Sequence, residues 1–519
     1  MSTEVPPVKQ QRLTAEAADD IKVVAKGGAI QIVGQITQRS IAFFFTVVAT
    51  NILGVAGYGL YRKAQQVLAV VAQVGMAGFN YSAMRFIARA RARGDVGSVR
   101  GAARTGLAAS GIASVVVGVG VFVFAGPIAD YFSSARASPE ELERLLRIGA
   151  PYIPAFALLQ VLRYCTQAYR TMVPSVVAGN IIQPVIRFLL GVILLIAGFG
   201  VAGAVTSLTI SMAVAAVSAG YLFVRMMTPE EKAASPRYEP GAMTRFALAQ
   251  GGASLLGVQS LGLGILILSA LSGNREVGLF AVALALQGPG GVFLSGIVNI
   301  WAPVVSDLYE KGAIDRLDAL YKTITRWIVT FALPIYAALI LEPDLFVKFF
   351  GEGAADAASI VAILAIGNLF YSGTGPTGYV LSMSGHPGVN FINSVVAVAV
   401  YASLGAWVVP RYGAIGMAWV DSGVTAAVNT VRVVQAKWLV GVQPFGRPIL
   451  KPVIATLIAA AALLAWRLVP GESTFVQAAG LVVGAAVYLV ILKLLGLDQE
   501  EKYVWDRIKS RATRMTGRK

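Results

Sequence analysis

Apolar runs of about 20 residues, each enough to cross roughly 30 Å of hydrocarbon, recur along this chain from one end to the other. Only 13% of its 519 residues are charged and mean hydropathy is +0.69, whereas soluble globular chains carry about 25% charged residues. The runs are continuous, which excludes lipid-facing barrel strands, because those alternate apolar and polar positions. The chain reads as an all-α polytopic membrane protein.

Fourteen transmembrane helices are expected, near 25–52, 62–86, 101–125, 147–169, 174–198, 202–225, 244–271, 277–304, 326–342, 356–381, 388–409, 414–436, 449–469 and 475–495. Most turns between them contain Gly or Pro. The division that follows is a tail (1–24), a first lobe (25–226), a linker (227–243), a second lobe (244–438), two further helices (439–496) and a basic tail (497–519).

The chain has 43 Lys and Arg against 27 Asp and Glu, a net charge of +16. Topology, not nucleic acid, accounts for this excess. With the N-terminus in the cytosol, most basic residues fall in inner loops and tails, including Arg89, Arg91, Arg93 and the cluster at 507–519, as the positive-inside rule requires. Both termini are therefore expected in the cytosol and the protein in the inner (cytoplasmic) membrane. The first residues are polar and lack the apolar core of a cleavable signal peptide. A single cysteine, Cys165, and a single histidine, His386, leave no intramolecular disulfide and no His/Cys metal site of usual ligand number.

The two halves share collinear markers. GYGLYRKAQQVL (57–68) matches EVGLFAVALALQ (276–287), PIADYF (127–132) matches PDLFVKFF (343–350), and FGVAGA (199–204) matches YGAIGMA (412–418). Each recurs six spans later, an even number, so the repeats are parallel. Two six-helix lobes related by an axis along the membrane normal follow, an arrangement transporters use around a midplane site.

The segments GGAIQIVGQI and TNILGVAGYGLY, MRFIARARARGD before the third span, and WAPVVSDLYEKGAIDRLDALYKTITRW resemble the polysaccharide-export branch of the multidrug/oligosaccharidyl-lipid/polysaccharide (MOP) exporter superfamily. The resemblance covers roughly residues 25–440. It implies a flippase of the Wzx type for lipid-linked oligosaccharides and a V-shaped pair of lobes that open alternately to either side. Polysaccharide assembly machinery is a further expected partner. Drug/cation antiporters of the MATE type are cousins in this superfamily.

Polar residues stripe the first-lobe spans. Gln31, Gln35, Gln38 and Arg39 share one face of the first, and Gln65, Gln66, Gln73 and Asn80 one face of the second. Gln160, Arg163 and Gln167 align on the fourth, Asn180, Gln183 and Arg187 on the fifth. An arginine at the centre of a span costs at least about 2.5–3.5 kcal/mol on insertion scales, so it faces a partner, a cavity or the interface. Asp421 is the one carboxylate at membrane depth and cannot pair with Arg39, Arg163 and Arg187 together. A cationic, amide-lined cavity is expected, suited to pyrophosphate because the guanidinium fork donates bidentate hydrogen bonds. Arg187, beside the helix-bending Pro184, is expected on its wall; the alternative is that Arg187 and Arg39 lock helices together. Arg163 either joins them or snorkels.

Asp421, with Asn429 two turns on, is a candidate site for a coupling ion (H+ or Na+), or else a partner for an arginine. Arg85, Arg89 and Arg93 either reflect topology or form a cytosolic vestibule that steers phosphate headgroups. The expected partners are a lipid-linked saccharide and membrane lipids, with no nucleic acid, and no cofactor is required. Two alternatives are a MATE-type drug/cation antiporter, which the arginines oppose, and an enzyme, a membrane glycosyltransferase or polymerase. The longest outer loop, 126–146, offers such chemistry only Asp130, Glu140, Glu141 and Glu143.

Overall fold

The computed structural model describes residues 15–133, 139–256, 262–468 and 473–496. The expected basic tail (497–519) and most of the N-terminal tail lie outside the described residues. Every described element is helical.

The first helix, α1 (Ala15–Met76), has 62 residues. Straight, it would measure about 93 Å, three times the hydrocarbon thickness. It is instead two helices meeting at Gly54, where φ is 70° and ψ 168°, a left-handed backbone conformation that glycine adopts at little cost because it has no Cβ. The chain doubles back here: the Thr46 and Tyr58 hydroxyls are 3.0 Å apart and the Phe45 and Tyr61 rings 5.8 Å. The same device recurs in α18 (Pro387–Leu439), which folds at Gly413. Across that fold the Tyr401 hydroxyl donates to Asp421 at 2.9 Å.

The first lobe continues with α2 (Phe79–Ala92), α3 (Val96–Val123), α4 (Ala125–Tyr131), α5 (Pro139–Gly149), α6 (Tyr152–Gln167), α7 (Val173–Val176), α8 (Gln183–Ile196) and α9 (Gly200–Met226). A linker helix, α10 (Pro229–Ala233), precedes α11 (Pro240–Leu256) and α12 (Leu263–Leu271). The second lobe is completed by α13 (Asn274–Glu310), α14 (Ile314–Leu341), α15 (Pro343–Val347), α16 (Ala357–Thr374), α17 (Thr377–Met383) and α18. The last pair, α19 (Leu450–Trp466) and α20 (Thr474–Leu494), packs on itself and on α14, with the Tyr488 hydroxyl donating to the Thr330 carbonyl at 2.7 Å.

Among the described residues nine helices are long and apolar enough to cross a membrane, or ten when α5 and α6, bent by 41°, count as one span. Two of the nine are the hairpins folded at Gly54 and Gly413. The expected seventh and eighth spans coincide with α11–α12 and with α13. Large apolar side chains cover the outward faces, among them Val116 at 65% exposure and Ile193 at 61%. Exposed apolar area on this scale marks a lipid-facing surface.

The lobes meet most extensively through α1 and α13, and the contact is reciprocal. A Cβ on Gly59 would lie 1.8 Å from the Asn274 carbonyl oxygen, and one on Gly278 would lie 2.0 Å from the Val55 carbonyl oxygen. In the repeat alignment Val55 corresponds to Asn274 and Gly59 to Gly278, so the matching segments touch each other as twofold-related surfaces do. Nearby, Asn51 donates to the Phe349 carbonyl at 2.8 Å and the Phe43 and Phe350 rings pack edge to face at 5.7 Å. The lobes are thus closed together at the end carrying Gly54.

The opposite, basic end is organised by the linker. Glu231 closes a capping box with Thr228, accepts from Arg91 at 3.1 Å, and accepts the Tyr169 hydroxyl at 2.7 Å. Arg89 pairs with Glu239 at 2.5 Å, and the Arg237 backbone N–H donates to Gly97 O at 3.0 Å. Helix α11, assigned from sequence to the start of the second lobe, packs on α2 and α3 of the first, while α12 packs on α18 and α13 of the second.

Candidate functional site

Between the lobes lies a cavity of about 640 Å³. Its first-lobe wall holds Gln31, Gln35, Gln38 and Arg39 of α1, Arg163 of α6, and Asn180. These residues span about 12 Å along α1 from Gln31 to Arg39. Leu294 of α13, Tyr371 of α16 and Tyr379 of α17 face them from the second lobe. Among the described residues, no carboxylate lines it.

Arg163 is held in place, not snorkelling. It donates to Asn180 Oδ1 at 2.9 Å, to Ser175 Oγ at 3.1 Å and to Gln160 Oε1 at 3.4 Å. Asn180 in turn donates to Gln38 Oε1 at 2.6 Å, which ties three helices into one network. The chain around Asn180 is a π-helical turn, Val177–Ile182, a local widening often found at functional sites. Gly179 within it lets the guanidinium approach, since a Cβ there would stand 2.5 Å from Arg163 Cζ. The network engages Nε, Nη1 and Nη2 and fixes the orientation of the guanidinium in the cavity wall.

Arg39 lines the cavity and is exposed, and it also bridges the lobes, its Nη1 lying 3.4 Å from the Gly288 carbonyl of α13. The second lobe supplies a polar flank absent from the sequence reading. Arg432 donates to Ser394 at 3.1 Å, Asn393 and Gln435 exchange two hydrogen bonds, and Asn390 donates to Ser382 at 2.9 Å. Arg432 lies near the expected end of its span, so it reads as a topology signal. Tyr371 and Tyr379 carry no sequence mark at all.

Arg187 is not on the wall of this cavity. It donates to the Tyr61 hydroxyl, approaches Gln65 Oε1 at 3.5 Å and lies 4.8 Å from the centre of the Phe45 ring. It therefore joins α8 to both arms of α1, the helix-locking alternative. Gln183 is buried, donating to Ser211 of α9 at 3.2 Å. Gln73 is half-buried and Asn80 buried, and neither lines the cavity. Arg187→Gln should lower thermal stability by about 1–3 kcal/mol, the cost of stranding buried polar partners. Transport per folded molecule should be nearly unchanged; thermal unfolding of the purified variant beside its transport rate checks both.

Asp421 sits in the second lobe, away from the cavity lining, with Tyr401 as its hydrogen-bond partner. No basic side chain pairs with it among the described residues, and Asn429 bonds to its own helix at Thr425 O. The vestibule arginines have local partners: Arg89 pairs with Glu239, and Arg85 lies over the Phe246 ring at 4.4 Å. Arg93 is exposed beside Asp95 and Arg237. Asp95 caps α3 by accepting from Ser98, which together with Arg237 holds its carboxyl below the usual carboxylate range.

Two helical lobes closed at one end around a polar cavity, with an apolar outer surface, define a multi-pass membrane protein with the fold of MOP-superfamily transporters. The chain belongs to the polysaccharide biosynthesis protein family, whose model matches residues 24–309. It is similar in structure to a lipid II flippase MurJ in an inward closed conformation, with a TM-score of 0.72 at 13% identity over 89% of this chain and 98% of that one. A multidrug resistance MATE family transporter of the MOP superfamily, in an inward-facing conformation, gives 0.65 at 18% identity over 78% and 94%. A MOP superfamily transporter from Pyrococcus furiosus, whose binding pocket is described as having reverse polarity, gives 0.57 at 16% identity over 81% and 96%. Comparison with curated protein sequences gives no match.

Proposed function

We propose that this protein is a flippase carrying a polyprenyl-pyrophosphate-linked oligosaccharide or polysaccharide precursor from the cytosolic to the outer leaflet by alternating access. One observation carries this reading: the cavity sets Arg39 and Arg163 among Gln31, Gln35, Gln38 and Asn180, with no carboxylate among its lining residues. Two guanidiniums in a low-dielectric cleft attract an anion, and their planar forks match phosphate oxygens. The four amides offer donors and acceptors to sugar hydroxyls, and Tyr371 and Tyr379 add aromatic faces and further hydroxyls. The lipid tail stays in the bilayer beside the cleft while the polar head crosses.

A MATE-type antiporter for cationic drugs is the second reading, because the fold is shared. A cation in this cavity would meet two positive charges and no carboxylate from the lining, so the electrostatics oppose it. Asp421 serves as the coupling-ion group for H+ or Na+, supported by its lack of a basic partner among the described residues. Liposomes holding the purified protein test all three statements with a fluorescent lipid-linked saccharide. The saccharide should change leaflets with its mass unaltered, and Asp421→Asn should remove the acceleration given by an ion gradient. A changed product mass would establish the glycosyltransferase or polymerase reading instead, and gradient-driven uptake of a cationic dye without saccharide movement would establish the antiporter.

A further inference from the structure

A second cavity, of about 580 Å³, opens on the outward face of the first lobe between α3, α6 and α9. It shares no lining residue with the cavity between the lobes. Its lining is apolar, with Leu107, Leu158, Leu162, Val217, Phe223 and Val224 on floor and rim. At one end stand three basic side chains, Arg100 and Arg104 of α3 and Lys232 of α10. That is the basic end of the lobe, where α3 begins and α9 finishes.

The charge at this rim is uncompensated. Arg89, Arg91 and Arg237, a short distance away, each pair with a carboxylate. Arg104 and Lys232 are exposed and form no ion pair among the described residues, while Arg100 donates to the Ala234 carbonyl at 2.8 Å. The groove follows α9 from Ala216 to its end at Met226, with Met227 just beyond, about 15 Å of helix. That length equals the acyl depth of one leaflet, half of roughly 30 Å.

We propose that this groove binds an anionic phospholipid of the leaflet on the basic side, one acyl chain lying along α9 and the phosphate resting between Arg104 and Lys232. Charge complementarity fixes the head and depth fixes the tail. Basic pockets between membrane helices are a recurrent way of holding anionic headgroups. A zwitterionic lipid would fill the apolar part equally well but would leave the two cations without a net counter-charge. The site lies outside the transport cleft, so its occupant braces α3 against α9 and the linker without itself being carried.

Native mass spectrometry of the full-length protein in detergent, titrated with phosphatidylglycerol or with phosphatidylcholine, tests this. The wild type should retain phosphatidylglycerol preferentially. Arg104→Gln with Lys232→Gln should weaken that binding by about 30-fold, about fivefold for each basic side chain at an anionic headgroup. Val217→Trp fills the groove with every charge in place and should weaken it too. Arg316→Gln with Lys437→Gln removes the same charge from exposed positions on the second lobe and should leave binding at the wild-type level. Equal affinity for phosphatidylcholine, equal loss in the second-lobe control, or full binding by the Arg104/Lys232 variant would each overturn the assignment. Unchanged binding by Val217→Trp would overturn the placement of the acyl chain in the groove.

Discussion

Arg39→Gln protein should accumulate folded in the membrane and move a lipid-linked saccharide about 10- to 100-fold more slowly than the wild type, the loss of one charge-assisted hydrogen bond of about 1.5–3 kcal/mol. The side chain is exposed to the cavity, where a glutamine in its place stays within reach of water. Its contact with the Gly288 carbonyl is long, at 3.4 Å, and stretches between the lobes. Such a contact must break and re-form as the lobes move, which suits a residue that exchanges a carbonyl for a phosphate. Arg39→Lys should restore only part of the rate, because an ammonium is a point charge without the bidentate fork. Arg163→Gln should differ: it breaks bonds to Asn180, Ser175 and Gln160 together, so stability and transport should fall as one. The checks are thermal unfolding and the initial flipping rate for all three variants. Normal transport per folded molecule in Arg39→Gln, with a lowered unfolding temperature, would make Arg39 a clasp between lobes and remove the phosphate-binding proposal.

How far these residues could be read from sequence depends on what their placement needs. The α1 stripe was legible, because Gln31, Gln35, Gln38 and Arg39 need only the helical period to share a face, and the structure brings all four to the cavity. Gln160 and Arg163 also share a face on α6, Arg163 lining the cavity and Gln160 accepting from it. The fifth span breaks it. Asn180, Gln183 and Arg187 share a face on a regular helix, but the π turn at Val177–Ile182 intervenes. Such a turn carries more residues than an α turn and rotates everything after it. Asn180 therefore looks into the cavity, Gln183 toward Ser211 and Arg187 toward Tyr61. The partners of Arg89 and Arg91 were hidden for another reason. They sit on Glu239 and Glu231, far along the chain in a linker whose docking only the folded lobe defines. Hairpin turns were the easiest feature, since Gly54 and Gly413 interrupt apolar runs too long for one crossing.

Gly59→Val should slow transport by a different route, through the contact that closes the lobes at the Gly54 end. A Cβ at position 59 would stand 1.8 Å from the Asn274 oxygen and 2.7 Å from the Gly278 nitrogen. Both are backbone atoms, with no rotamer through which to yield. The lobes would have to separate until ordinary contact, 3.4–4 Å, is restored. Overpacking of this kind costs about 1–3 kcal/mol or more, and falls only on the conformation in which the two segments touch. A protein alternating between two conformations would shift by about 5- to 150-fold toward the one open at this end. Folding should survive, because the bulk of each lobe's packing lies away from position 59. Spin labels at Tyr131→Cys and Asp356→Cys, both exposed and on different lobes, report the separation directly. In the Gly59→Val background their distance distribution should move to longer values while the flipping rate falls about 5- to 150-fold. Gly278→Ala provides the reciprocal test from the second lobe, with its own Cβ at 2.0 Å from Val55 O. An unshifted distribution with wild-type transport in both variants would mean that this contact does not open during the cycle, and alternating access through the cleft would lose its gate.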